Sequence, residues 1–205
     1  MENTANRIEL RGDLVALPVL SHENHGQRFY QFFLDVERLS GIYDRLPVIA
    51  SETVLNTMDL SAGTRITAIG QIRSYNTKWE DRRRLLIFVY AQSLFVSDEE
   101  PINDVSLSGV LCKPPVFRRT PLGRHICDVM LAVNRPYRRT DYLPCILWGR
   151  NAKAAADALV GDRLELTGRL QSRQYTKILD TGPETRIAYE ISALSSQLLE
   201  KFELE

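Results

Sequence analysis

Cysteine and histidine are scarce here, at three of each in 205 residues. Cys112, Cys127 and Cys145 are odd in number and never fall in a C-x-x-C spacing. That argues against a disulfide framework, and with His22, His25 and His125 they complete no zinc ligand set. A reduced chain is expected, its thiols serving as small apolar residues, with no metal and no cofactor. No apolar run approaches the roughly 20 residues that span a bilayer, so no membrane association is expected. Met1-Glu2-Asn3-Thr4 has neither the basic nor the apolar region of a signal peptide, which predicts a cytoplasmic protein. Ser/His/Asp and Cys/His constellations and phosphate loops are also missing, so no enzyme is expected.

Net charge is missing too: 26 basic residues balance 26 acidic ones. The balance is not even along the chain. Residues 1–100 hold 11 basic and 14 acidic residues, and residues 101–205 hold 15 and 12. Three of those 12 acids crowd into Glu200-Lys-Phe-Glu-Leu-Glu205. An electrostatic footprint for a polyanion therefore belongs to the C-terminal half. The 44% hydrophobic content is enough for packed cores.

What the chain does have is an internal repeat. Asn6, Gly12, Pro18, Val19, Gly26, Leu34, Val36, Arg38, Leu46 and Pro47 recur 97 residues later as Asn103, Gly109, Pro115, Val116, Gly123, Leu131, Val133, Arg135, Leu143 and Pro144. After one insertion, Gly63, Gly70 and Ser74 recur 98 residues later as Gly161, Gly168 and Ser172. Two domains follow, 1–98 and 103–199. Six residues from Ser97 to Ile102 reach only about 20 Å, so the domains must be close neighbours.

Each unit shows the period of two that marks half-buried strands. In the second unit Val105, Leu107, Gly109 and Leu111 alternate with Ser106, Ser108 and Val110. Cys127 to Val133, Cys145 to Arg150, Arg163 to Leu170 and Arg186 to Leu194 supply further strands. Within the third, Ile146, Trp148 and Arg150 oppose Cys145 and Leu147. An alanine-rich segment from Asn151 to Val160 reads as a helix, with Asn151 as N-cap and Gly161 at the left-handed C′ position. Glu52 to Ala62 with Gly63 fills the same slot in the first unit. Three strands, a helix and two strands is the order of the OB fold. The expectation is an all-β chain of two tandem five-stranded OB barrels, each with one short helix. Gly12 and Gly109 fit the sharp bends that a small barrel needs.

The second unit resembles the DNA-binding domain of bacterial single-stranded DNA-binding proteins (SSB). The resemblance lies in Asn103-Asp-Val-Ser-Leu-Ser-Gly-Val-Leu111, Thr120-Pro-Leu-Gly123, Leu131-Ala-Val-Asn-Arg135, Asp141-Tyr-Leu-Pro-Cys-Ile-Leu-Trp-Gly-Arg150, Gly161 and Leu166-Thr-Gly-Arg-Leu-Gln-Ser-Arg-Gln-Tyr175. It implies sequence-nonspecific binding of single-stranded DNA, without catalysis, in replication, recombination or repair. It also implies that Tyr137, Tyr142, Trp148 and Tyr175 stack with bases. Arg118, Arg119, Arg124, Arg135, Arg138, Arg139, Arg150, Arg169 and Arg173 are the matching candidates for phosphates. Four barrels usually act together in the family, which implies a homodimer, with residues 7–11 and 104–108 as candidate strands to pair or pack between subunits. A bacterial nucleoid, phage or plasmid protein fits equally. The family usually carries a long disordered tail whose acidic tip recruits repair enzymes; Glu200-Lys-Phe-Glu-Leu-Glu205 is acidic and contains apolar residues, but no disordered spacer precedes it, so recruitment by that route is not expected.

The residues suit this task independently. A sequence-tolerant site needs cations along the phosphates and flat rings for the bases. Arginines and aromatics interleave in that way from Arg135 to Tyr175. The first unit keeps the scaffold residues but places Ser40, Arg45, Ser51 and Thr77 opposite the four aromatics. Tyr75, Trp79, Arg82 and Arg83 lie on a hairpin there and are candidates for a separate DNA contact. An isolated 103–205 fragment is expected to keep most of the affinity per barrel. A rival reading makes the protein an OB-fold adaptor in a replication-restart or mobile-element complex, supported by the acidic, aromatic-poor first unit.

Overall fold

The computed structural model describes residues 5–56, 58–79, 82–179 and 182–199. Twelve strands form one continuous sheet that closes twice. The first closure uses β1 (Asn6–Leu14), β3 (Gln27–Glu37), β4 (Tyr43–Ser51), β5 (Arg65–Trp79) and β6 (Arg82–Val96). β1 pairs with β5 along one edge and with β3 at Asp13↔Asp35 and Leu14↔Leu34. β4 and β6 run parallel at Val48↔Val89. The second closure repeats this with β7 (Ile102–Leu111), β9 (His125–Arg135), β10 (Arg139–Trp148), β11 (Arg163–Leu179) and β12 (Gly182–Leu199). Here β7 closes on β9 at Val110↔Ala132, and β10 lies parallel to β12 at Cys145↔Ile191. These are two five-stranded OB barrels in tandem. Each carries a further short strand on its first hairpin, β2 (Val19–Asn24) or β8 (Val116–Arg119), which the alternation pattern does not announce because all of its residues are exposed.

The repeated residues hold equivalent places. Asn6 donates from Nδ2 to the Ile72 carbonyl at 2.7 Å and accepts from the Ile72 N–H at 2.9 Å. Asn103 does the same with Leu170, at 2.6 and 2.9 Å. Each asparagine satisfies both the N–H and the C=O of one residue, where β1 passes β5 and where β7 passes β11. A Cβ on Gly70 would lie 2.0 Å from the Tyr90 carbonyl, and one on Gly168 2.3 Å from that of Ser192, beside a register shift in each barrel. Leu34, Leu46 and Ile72 fill one barrel, and Leu131, Leu143 and Leu147 the other. The buried apolar residues run as one cluster through both.

Three expectations change. The first strands do not wait for a second subunit: β1 and β7 pair antiparallel within the chain, from Asn6↔Leu107 to Arg11↔Ile102. The linker is short enough to fold β7 back on β1, and Arg11 fastens it with an ion pair to Glu99 at 2.7 Å and a bond to the Glu100 carbonyl at 3.1 Å. The helices are shorter than their sequence windows. α1 (Glu52–Leu55) is a single turn, and α2 (Gly149–Ala155) begins directly from β10, with Trp148 at the N-cap. Asn151 therefore sits inside α2, and its Nδ2 donates to the Leu194 carbonyl at 3.2 Å instead of capping. Gly161, at φ +98°, lies beyond the helix, and its N–H donates to the Leu111 carbonyl at 2.8 Å. Gly63 makes the same return to Leu14 at 2.7 Å. The left-handed glycines thus close a loop onto the first strand rather than end a helix.

Candidate nucleic-acid interface

In the second barrel, the β9–β10 hairpin turns through Pro136, Tyr137 and Arg138. Tyr137 has φ +61° and Arg138 φ +56°, both unusual for residues with a Cβ. Such conformations persist only where the surroundings over-determine them, and they cluster at functional sites. The turn pushes Tyr137 into solvent at 95% exposure. Arg138 and Arg139 are exposed beside it. Tyr142 on β10 is exposed as well.

Trp148 ends β10, half-buried, and donates from Nε1 to the Ser192 hydroxyl at 3.0 Å. Ser192 faces Arg169 across the β11–β12 ladder, so one outer sheet face carries Trp148, Ser192 and Arg169. Farther along β11, the Arg173 guanidinium lies 5.8 Å from the centroid of the Tyr175 ring. Arg173 also pairs with Glu190 at 3.3 Å, and Gln171 donates to the same carboxylate at 3.0 Å. Part of the Arg173 charge is thus spent within the barrel.

On the β8–β9 hairpin Arg118 pairs with Asp128 at 2.6 Å, and Arg119 donates from Nε to His125 Nε2 at 3.1 Å. His125 stacks on exposed Phe117, with centroids 5.4 Å apart and planes within 16°. Burial, then the charges of Arg119 and Lys153, hold the His125 imidazole below its usual pKa. The ring pair is therefore a neutral, flat surface among arginines. Sequence reading missed it; the signal was Phe117 directly before Arg118-Arg119, with His125 six residues beyond. Arg124 is exposed in the same hairpin turn.

Two candidates change role. Arg135 is not free for phosphate: its Nε lies 3.1 Å from Oδ2 of the fully buried Asp141. The N–H is not aimed at that oxygen, so this is a charge contact rather than a hydrogen bond. Asp141 lies on β10 with no exposure. Arg150 does not share strand parity with Trp148, because the strand has ended and Arg150 is an exposed residue of α2.

The first barrel differs in charge more than in shape. Ion pairs tie Arg11 to Glu99, Arg28 to Glu52, Arg38 to Asp44, Arg45 to Asp35 and Arg65 to Asp13. Arg45, the counterpart of Tyr142, is therefore consumed, and Ser51, the counterpart of Trp148, is buried. Tyr75 is exposed on β5. Trp79 and Arg82 face each other at the end of the β5–β6 ladder, but the side chains of Trp79, Arg82 and Arg83 lie outside the described residues. Among the described residues, no ion pair engages Arg124, Arg138, Arg139, Arg150 or Arg169 of the second barrel.

Comparison with known proteins places this geometry. The Single-strand binding protein family matches residues 102–199. Single-stranded DNA-binding protein 2 of Listeria innocua is 35% identical over 106 residues, which are 48% of this chain and 65% of that protein. Single-stranded DNA-binding protein A of Bacillus subtilis is 36% identical over 106 residues, 48% of this chain and 60% of that protein. The chain thus spans less than two thirds of these relatives' own length. The whole two-barrel fold is similar to the crystal structure of the wild-type single-stranded DNA binding protein from Thermus aquaticus. That similarity has a TM-score of 0.78 at 22% identity and covers 98% of this chain and 95% of that one. A deletion mutant of the same Thermus protein gives a TM-score of 0.76 at 24% identity, covering 98% and 97% of the two chains. Residues 102–199 thus match the single-strand binding protein family, and the chain as a whole shares its two-barrel fold with the Thermus protein.

Proposed function

We propose that this protein binds single-stranded DNA without sequence preference and without chemistry, in replication, recombination or repair, and that the barrel of residues 103–199 carries most of the binding. The observation that carries this is the contrast in arginines. Arg7, Arg11, Arg28, Arg38, Arg45 and Arg65 of the barrel in residues 1–98 are tied to carboxylates, whereas Arg124, Arg138, Arg139, Arg150 and Arg169 are free of ion pairs among the described residues and alternate with Tyr137, Tyr142, Trp148 and Tyr175. Arg118, Arg119 and Arg173 contribute through partly satisfied guanidiniums. The rings accept any base, and the cations follow the phosphates. Phe117 and His125 extend the stacking surface.

Titration with poly-dT at low and high salt tests this. Tight binding is expected, far weaker for duplex, with a log–log salt slope of about −0.7 per neutralised phosphate. A micromolar or weaker complex at low salt contradicts it. The neutralised first barrel favours a second reading, an adaptor barrel that meets a protein, and a salt-insensitive, weak DNA titration is its signature.

Two chains would present four barrels as a homodimer. With β1 and β7 joined to each other, the long β5–β6 and β11–β12 arms are candidate surfaces for that contact. Exposed Ile178 and Ile187 on the second arm, with Leu86 on the first, suit it. Sedimentation equilibrium at micromolar concentration reads the outcome: the mass of one 23.4 kDa chain sinks the dimer. Among the described residues no helix is long and apolar enough to cross a membrane. The cytoplasm, on a nucleoid or as a phage or plasmid product, is the compartment that such a task requires.

A further inference from the structure

Besides the β1–β7 ladder, the barrels grip each other through a polar contact that follows the repeat. On one side Ser172 donates its N–H and hydroxyl to Oδ1 of Asp44, at 2.7 and 3.1 Å, while Arg38 donates from Nε to Oδ2 at 2.6 Å. On the other side Ser74 donates its N–H to Oδ1 of Asp141 at 2.7 Å, with Arg135 beside Oδ2. Arg38 and Arg135, Asp44 and Asp141, and Ser74 and Ser172 are all repeat partners, and both carboxylates are fully buried. Each barrel thus seats a carboxylate from its third strand against the fourth strand of the other.

The two sides then diverge. Arg73 reaches from the first barrel to Oδ2 of Asp141 at 3.2 Å. Its counterpart, Gln171, turns instead to Glu190 within its own barrel. The Ser74 hydroxyl also accepts the N–H of Tyr142 at 2.8 Å. The first barrel therefore holds two successive residues, Asp141 and Tyr142, which form the third and fourth pairs from the turn of the hairpin that carries Tyr137, Arg138 and Arg139.

We propose that Ser74 and Arg73 are positioning residues: from the barrel that lacks the stacking aromatics, they fix the β9–β10 hairpin of the other barrel in the geometry that receives bases. This rests on reading that hairpin as part of a single-stranded DNA surface. The hairpin tip holds Tyr137 and Arg138 in left-handed conformations that residues with a Cβ adopt at a cost. A buried carboxylate with fixed donors, and a backbone N–H bonded across the seam, hold that geometry.

The test uses the full chain and an oligothymidine. Ser74→Ala removes the acceptor for Tyr142, and Arg73→Gln gives the site the chemistry of its counterpart Gln171. Each is expected to weaken binding by about threefold to tenfold, and Ser74→Thr, which keeps the hydroxyl, to restore it. A merely structural role would lower thermal stability and leave the hairpin's contribution intact, so each variant is combined with Tyr137→Ala. Positioning predicts that the affinity lost on removing Tyr137 shrinks at least about threefold in both backgrounds. Wild-type affinity with an undiminished Tyr137→Ala effect overturns the proposal. If Ser74→Ala does not melt cooperatively, Arg73→Gln decides, because the Ser74 bonds to Asp141 and Tyr142 remain. A wild-type chain that does not bind oligothymidine overturns the DNA reading, and this inference with it. A wild-type chain that binds, with unaltered variants, overturns this inference alone.

Discussion

Asp141 sits between opposing effects. Burial pushes its carboxyl above the usual range, while the Ser74 N–H, Arg135 and Arg73 pull it back. Burial also pulls the Arg73 guanidinium down, joined by the like charge of Arg135. Such a buried pair adds little net stability. Because the folded-state pKa is raised, the folded protein holds this proton more tightly than the unfolded chain does. The contribution of Asp141 to stability is therefore largest at pH below the ordinary carboxylate value. It fades as pH rises through the raised range. Melting curves of wild type and Asp141→Asn across the acid range check the sign: the difference should move against the wild type as pH climbs. Trp148 is a different case. Its indole N–H is satisfied by Ser192, which orients the ring and leaves part of it open. Trp148→Ala should weaken oligothymidine binding by about 1–3 kcal/mol while the protein still melts cooperatively, as paired titrations and melts will show.

At the scale of elements, the bends at Gly70 and Gly168 aim the two long arms. Each glycine lies beside a register shift, and the strand continues for several residues past the barrel wall. Gly168→Ala would drive a Cβ into the Ser192 carbonyl and should cost about 1–3 kcal/mol, read by urea unfolding, with a parallel loss of affinity because Arg173 and Tyr175 lie beyond the bend. These glycines were legible in the sequence as matched pairs, as were the asparagines that fasten strand to strand and the alternation that fills each barrel. The helices were overread, since alanine richness says nothing of where β10 stops, and the chain leaves Trp148 directly into α2. The β2 and β8 strands were illegible because they bury nothing. Asp44 and Asp141 also match at the repeat spacing. Their burial could not be read from sequence, because each carboxylate is satisfied by the other barrel, and sequence patterns report local periodicity rather than partners about 70 to 130 residues away.

For the whole molecule, the seam between barrels changes what a fragment can do. An isolated 103–205 chain looks self-sufficient in sequence. In the structure its β7 edge is covered by β1, its Asp141 is answered by Ser74 and Arg73, and its core is continuous with the first barrel. Cut free, it should melt lower than the full chain and self-associate through the bared edge, which sedimentation and thermal unfolding would show. A fragment that stays monomeric with an unchanged melting temperature would mean the seam is weak. The central claim, that the second barrel carries the DNA, is tested most directly by tryptophan fluorescence, because Trp79 and Trp148 are the only two tryptophans, one per barrel. The measurement is oligothymidine titration of Trp79→Phe and Trp148→Phe in the full chain. The account predicts strong quenching in Trp79→Phe, where Trp148 alone reports, and little in Trp148→Phe. Quenching that vanishes in Trp79→Phe and persists in Trp148→Phe would put the binding surface on the first barrel and contradict it.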